Sequence, residues 1–410
     1  MSAVGGSGFL ARLEIYGVDL EVFGYELLTR HGTPVDRPAP IGSGTIEEAE
    51  GFASPLITAL REVGLDAIVG TRPAWVDAGD ALAADDLATL LPPERTVLVV
   101  SGTALPASVS VEEIVELRSA GYRVAVDDAV FRGPLQSKPS TADFVRIDPL
   151  AHRDVELEHE IRSLREDGLR LLAGNVGTHD SFDCCRELGF EFFQGRFRTT
   201  PRLRSDRRIS AEASVRVQLA AQLNNPETDF DELADLIAAD VTLSYRLLRY
   251  INSAHVGLRR PIVSLREALV ALGLRNVRTW ATLLLLSDVG SEQQPIVATA
   301  LLRAHMCRCL ANATALAADQ AFLVGLMSVV DVLVDRRLDE AIEEIPIDEQ
   351  LKKALLDQDG PLGDLLDRVI AFERGDFAKA AAAPLNARAT TAAYIEAIEW
   401  STRTVSQLAA

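Results

Sequence analysis

The chain has 410 residues, enough for two or three domains with buried cores. Hydrophobic residues are 48% and charged residues 25%, which excludes long disorder, collagen-like repeats and a disulfide-stapled miniprotein. The formal charge of −19 disfavours general binding to nucleic-acid backbones or anionic membranes.

Apolar runs fall short of the ~18–20 residues that span a bilayer, and Met1–Gly8 has neither the basic nor the apolar part of a signal peptide. A cytoplasmic location is expected. The four Cys suit a reducing compartment, and neither the adjacent Cys184 and Cys185 nor Cys307 and Cys309 have metal-binding spacing.

The opening segments Phe9–Tyr16 and Asp19–Leu28 flank a Gly17-Val18-Asp19 turn and read as a hairpin. Single strands are predicted at Ala67–Val69, Thr96–Val100, Tyr122–Val126, Asp143–Ile147, Leu169–Leu172 and Phe190–Phe193. Helical patterns separate them at Glu47–Val63, Val111–Ala120, Val155–Glu166 and Asp180–Leu188. The repeated βα spacing predicts a (β/α)8 barrel, modified because the hairpin makes its first strand antiparallel.

Beyond the basic stretch Pro201–Arg208 only helical periodicity remains. Helices are expected over Asp229–Ala239, Thr242–Ser253, Leu265–Leu272, Arg275–Ser287, Pro295–Ala318, Ala321–Asp335, Ile347–Asp357, Leu362–Arg374 and Ala387–Ala409. The fold class is therefore α/β plus all-α, with domains expected over residues 1–202 and 203–410.

Polar residues at strand ends define the candidate site of such a barrel. They are Glu26 and Arg30 after the second strand, Asp127 and Asp128, Arg146 and Asp148, and Gln194 on the last strand. Carboxylates converging with an Arg suggest divalent-metal chemistry on a phosphate ester.

These residues carry a resemblance. Tyr25-Glu26-Leu27-Leu28-Thr29-Arg30 is similar to the ExLxR signature of the EAL domain, the cyclic di-GMP phosphodiesterase family. Val126-Asp127-Asp128, Val145-Arg146-Ile147-Asp148 and Phe193-Gln194-Gly195 stand where that family has its DD, K-x-D and QG motifs. The run from Leu247 through Arg278, with Phe322–Leu326, resembles the HDOD domain, a helical relative of HD phosphohydrolases without their metal ligands. The order of the two matches that of a bacterial two-domain signalling family.

Against the EAL pattern, three family oxygen ligands are expected to be lost: at Gly70, at Val99, and in the stretch after the seventh strand that carries Gly174 and Gly177. Arg146 replaces the Lys, and a guanidinium does not give up its proton near neutral pH. Arg146 shares a strand face with Asp148, so it is expected to enter the mouth and bridge Asp127 or Asp148. Arg259, Arg260, Arg275 and Arg278 form a basic group in the second half, read as a solvated face, with a groove for an acidic peptide or partner as the alternative.

The sequence thus predicts a chain that is not an enzyme, a signalling adaptor acting through protein partners of unstated identity. A non-hydrolysing cyclic di-GMP receptor and a residual phosphodiesterase are the alternatives. No cofactor or metal is expected, Mg²⁺ or Mn²⁺ entering only if the remaining site still binds one. The EAL resemblance also implies a homodimer as a candidate assembly.

Overall fold

The computed structural model describes residues 8–31, 55–82, 87–101, 111–132, 141–151, 154–200, 228–238, 294–334, 337–343, 349–382 and 385–409, with isolated positions between 219 and 281. Two compact units emerge. One comprises residues 1–200 with 367–399; the other comprises 201–366 with 400–410.

The first unit is a closed barrel of eight strands in sequential order: β1 (Gly8–Gly17), β2 (Val22–His31), β3 (Ala74–Asp77), β4 (Thr96–Val100), β5 (Arg123–Asp127), β6 (Phe144–Ile147), β7 (Arg170–Ala173) and β8 (Phe192–Phe193). β1 runs antiparallel to both β2 and β8, and every other neighbouring pair is parallel. A four-residue turn, Val18–Glu21, joins β1 to β2, whereas each parallel step needs a crossover, which explains the helices between later strands.

Alternation along the strands sorts side chains into two layers. Leu98, Val124, Val126, Val145 and Leu171 face outward and pack with helix residues such as Leu56, Ile114, Ile161 and Phe182. Ile15, Trp75, Val97, Val99, Ala125, Phe144, Leu172 and Phe192 fill the interior. Phe23 joins them from β2, where the register steps from Ile15–Gly24 to Tyr16–Val22 and so leaves Phe23 as an extra residue. Such a bulge re-aims a side chain; here Phe23 meets Phe192 at 4.4 Å between ring centroids. The interior is a packed plug, so any site must sit above it.

The third strand corrects the sequence reading. Ala67–Val69 belong to a short helix, Leu65–Val69, that buries Leu65, Ile68 and Val69. Gly70 follows that helix rather than ending a strand. The true strand, Ala74–Asp77, pairs with β2 on one side and β4 on the other. It ends in an acid.

Residues of the C-terminal segment complete the first unit. Phe377 stacks on Phe9 at 4.9 Å, and the Tyr394 hydroxyl accepts from the Arg12 amide at 3.2 Å. The Thr391 hydroxyl donates to the Gly8 carbonyl at 3.2 Å.

In the second unit the described elements are all helical. Helices Phe230–Ala238, Gln294–Thr314, Ala318–Met327, Val330–Val334, Leu338–Glu343 and Glu349–Leu356 fall within it. The single helix expected over Ala321–Asp335 breaks at Ser328, whose hydroxyl donates to the Gly325 carbonyl at 2.7 Å and accepts from Arg303 at 3.2 Å. A Ser hydroxyl bonded to its own helix backbone competes with the ladder there. The expected helices at Thr242–Ser253, Leu265–Leu272 and Arg275–Ser287 lie largely outside the described residues.

Candidate functional site at the barrel mouth

Strand alternation carries the interior face upward from the apolar plug to the carboxyl ends of the strands. Two residues above Trp75 stands Asp77; above Ala125, Asp127; above Phe144, Arg146; above Leu172, Gly174; above Phe192, Gln194. Glu26 takes the equivalent place on β2, opposite Leu13 in the hairpin and Trp75 on β3. The mouth is thus a ring of polar residues closed on one side by Val99, which pairs with Asp77 and Ala125.

Arg146 is the centre of this ring. Its Nη1 donates to Glu26 Oε1 at 2.8 Å and its Nε to Asp127 Oδ1 at 2.7 Å. Gln194 Nε2 donates to the second oxygen of Glu26 at 2.7 Å. Side-chain exposure is 27% for Arg146, 12% for Glu26 and 24% for Asp127, so the pairs are shielded and worth more than surface ion pairs. Glu26, and after it Asp127, hold the guanidinium's pKa above its ordinary value despite burial. The second acid bridged by Arg146 is therefore Glu26 rather than Asp148. Asp148 instead accepts from Asn175 Nδ2 at 2.7 Å and from the Leu150 amide at 3.0 Å.

Asp77 was missed by sequence reasoning. Burial, then Asp80 and Glu26, push its carboxyl up to about 6, while the amides of Gly79 and Asp80 pull the other way. Gly79 donates to Asp77 Oδ1 at 2.9 Å, so the acid caps the helix Ala78–Leu82 that leaves the strand. That capping pattern, Asp77-x-Gly79-Asp80 directly after Trp75-Val76, was the available sequence signal.

The remaining predicted residues scatter around this core. Arg30 lies four residues beyond Glu26 on β2, opposite Phe9, outside the hydrogen-bonded cluster. Asp128 begins the helix Asp128–Arg132 and its carboxylate accepts from the Ala129 amide at 2.7 Å. Gly174 sits beside the aliphatic stem of Arg146, where an added Cβ would lie 3.6 Å from Cγ. Gly177 borders open space. Gly195 is a different case: a Cβ there would lie 2.2 Å from the Val176 carbonyl oxygen, and its φ is +149°. Only glycine lets the chain after Gln194 pass so close to β7's exit. Arg259, Arg260, Arg275 and Arg278 lie outside the described residues.

The donor set does not fit the divalent ions that an EAL site implies. Both Glu26 oxygens and one Asp127 oxygen already accept from N–H donors. Val99 and Gly174 supply no side-chain oxygen. Among the described residues, no three acidic, His or Cys ligand atoms of the mouth lie within 4.8 Å of one another. A hard dication asks for six or more oxygens.

Comparison with known proteins places this architecture. Residues 210–379 match the HDOD domain. The cyclic di-GMP phosphodiesterase CdgJ of Vibrio cholerae is 31% identical over 377 residues, covering 90% of this chain and 85% of that protein. The chain belongs to the EAL–HDOD family. YuxH, an uncharacterized protein of Bacillus subtilis, is 25% identical over 96% of this chain and 97% of its own length. Among solved structures, the calcium and cyclic di-GMP complex of Klebsiella pneumoniae BlrP1 aligns at 19% identity and a TM-score of 0.36, covering 48% of this chain and 56% of that one. An EAL domain protein of Listeria monocytogenes aligns at 16% identity and 0.36, covering 47% and 87%.

This EAL–HDOD protein relates to cyclic di-GMP signalling, and the expectation that it is not an enzyme is corrected. Its relative CdgJ is named a phosphodiesterase across nearly the whole chain. One premise of that expectation also fails on geometry, because the third strand of the EAL barrel does end in an acid, Asp77. Among the described residues, no helix is long and apolar enough to cross a membrane.

Proposed function

We propose that this chain is a cyclic di-GMP phosphodiesterase whose cleft is the barrel mouth. The observation that carries the reading is Asp77, a shielded carboxyl at the end of β3, pushed up to about 6 by burial and by the charges of Asp80 and Glu26. A base with a pKa near the operating pH is the efficient proton acceptor. In this scheme Asp77 takes a proton from a water that attacks phosphorus. The bond from phosphorus to the ribose 3′-oxygen breaks, and that oxygen leaves with a proton from solvent. Arg146 and Arg30 are the cations that would face the phosphate oxygens, and guanidinium suits that role through paired N–H donors. The phosphodiesterase name of the CdgJ relative supports the substrate.

The test is direct. Purified full-length protein is incubated with cyclic di-GMP and the linear dinucleotide is measured by chromatography, beside Asp77→Asn and Asp127→Asn. Product formed by the parent chain and lost in Asp77→Asn supports the reading. No product anywhere between about pH 6 and 9, the range in which such a base is ionised, overturns it.

Protein docking is a second mode of action beside this one. It is favoured by the way Arg146 satisfies Glu26 and Asp127 within the chain, which holds the mouth in shape before any ligand arrives. Co-purification and mass measurement in solution test for signalling partners and for a homodimer.

A further inference from the structure

The mouth brings together three carboxylates from three strands, Glu26, Asp77 and Asp127, an arrangement that demands a counter-charge. The geometry points to Arg146 as the resident cation of this site: it occupies the place of a divalent ion, keeps such ions out, and lets the mouth bind its phosphate ligand without metal.

Three observations carry this. First, Arg146 reaches two different strands at once, Glu26 at 2.8 Å and Asp127 at 2.7 Å, as a bridging ion would. Second, the guanidinium is supported in that pose. Gln194 fixes the far oxygen of Glu26, and Gly174 leaves the space beside the Arg146 stem that a larger side chain would contest. Third, three of the four carboxylate oxygens of the bridged acids already accept N–H bonds, and a dication entering there would meet a positive charge at close range. A guanidinium that bridges acids from one side still presents N–H groups to a phosphate from the other, since it carries five donors and the two bridges use two.

The statement about cations stands on the chain's own contacts. The statement about ligand binding rests on the phosphodiesterase reading above, and the experiment separates them. Manganese is titrated into the full-length parent protein, Arg146→Ala, Arg146→Gln, and Arg146→Ala/Asp127→Asn, with free ion read by electron paramagnetic resonance. The parent is expected to take up manganese at least about tenfold more weakly than Arg146→Ala, a difference of one decade in affinity. Adding Asp127→Asn is expected to erase the gain. Arg146→Gln, which keeps most of the side-chain volume, gives the same answer if the alanine variant fails to fold. Parent protein binding manganese as tightly as the variants, or a gain that survives Asp127→Asn, overturns the inference.

In the second arm, cyclic di-GMP binding is measured by calorimetry in chelator and in manganese. Equal affinity in both supports metal-free binding, and binding only with manganese overturns it. Binding in neither buffer defeats the phosphodiesterase reading and with it metal-free binding, while the manganese titration still decides the identity of the resident cation.

Discussion

Arg146 and Asp127 are paired twice over: they are direct neighbours in the β5–β6 register, and Nε of one donates to Oδ1 of the other at 2.7 Å. Backbone pairing therefore places the donor where the acceptor must be, and little side-chain entropy is lost in forming the bond. Removing the guanidinium leaves Glu26 and Asp127 shielded and uncompensated. Arg146→Leu is expected to lower stability by about 3 kcal/mol, the range for breaking one side of a buried pair. Arg146→Lys should recover only part of this, because an ammonium reaches both acids less well than a planar fork. Urea unfolding of the three proteins at neutral pH checks the order.

Asp77 makes stability depend on pH in an unusual direction. Its folded pKa, about 6, lies above the ordinary carboxylate value, so folding favours the protonated form. Stability is then highest below the unfolded pKa, falls as pH rises from about 4 to 6, and stays at the lower level above that. Asp331 in the second unit behaves alike, also pushed up to about 6, by burial. Asp77→Asn keeps the side-chain oxygen that accepts from Gly79 and removes the charge. It is expected to flatten the fall and to raise stability at pH 8 by about 1–2 kcal/mol, a discounted share of the full linkage. Under the proposed function the same substitution abolishes a rate that otherwise rises through pH 6 and then levels off. Thermal melts across pH and rate profiles measure the two effects separately.

How far the fold was legible follows from local signals. Thr96–Val100 is a run of β-branched and aliphatic residues buried on both faces, and the strand occupies the same five residues. The helix after β7 was legible from its apolar spacing over Asp180–Leu188; it begins at His179, capped by Thr178, whose hydroxyl accepts from the Ser181 amide at 3.1 Å. The third strand was not, because Ile68 and Val69 look like a strand core while serving as the buried side of a helix turn. The real strand is only four residues long and contains a Trp that fills the barrel. Its position is set by pairing with Tyr25, Glu26 and Leu27, some fifty residues earlier in the chain. Closure into a barrel was legible from the repeated βα spacing, but the side-chain pairing it creates across the ring was not. Gln194 and Glu26 are separated by 168 residues and meet only because β8 returns to β1.

Gly195 offers a test of the mouth that leaves its charges alone. Gly195→Ala places a methyl 2.2 Å from the Val176 carbonyl oxygen, a contact that neither backbone can keep. The strand exit must move, and Gln194 with it, which releases the far oxygen of Glu26. Under the proposed function, cyclic di-GMP affinity is expected to fall at least about tenfold, equivalent to about 1.4 kcal/mol. The helix His179–Leu188 and the rest of the barrel core are untouched, so circular dichroism should stay close to that of the parent. Calorimetric titration beside Gln194→Ala distinguishes a shifted side chain from a missing one: both should weaken binding, and the two together should not add.

Gly325 sets the packing of the second unit. It lies in the helix Ala318–Met327, and a Cβ there would lie 2.6 Å from the Arg303 carbonyl and the Ala304 amide nitrogen on Gln294–Thr314. The two helices approach backbone to backbone at this point, with Ala300, Ala304, Val324 and Ala321 buried around it. A methyl cannot be absorbed by a rotamer change because every close atom is main chain. The helices must separate, opening a gap along an otherwise close-packed seam. Gly325→Ala would gain up to about 1 kcal/mol from helix propensity on an exposed face; here it is expected to lose about 2–3 kcal/mol net, in the range of overpacked cores. Gly325→Ser should cost at least as much. A far-UV melt that shows either variant as stable as the parent would mean that the seam yields where these contacts say it cannot.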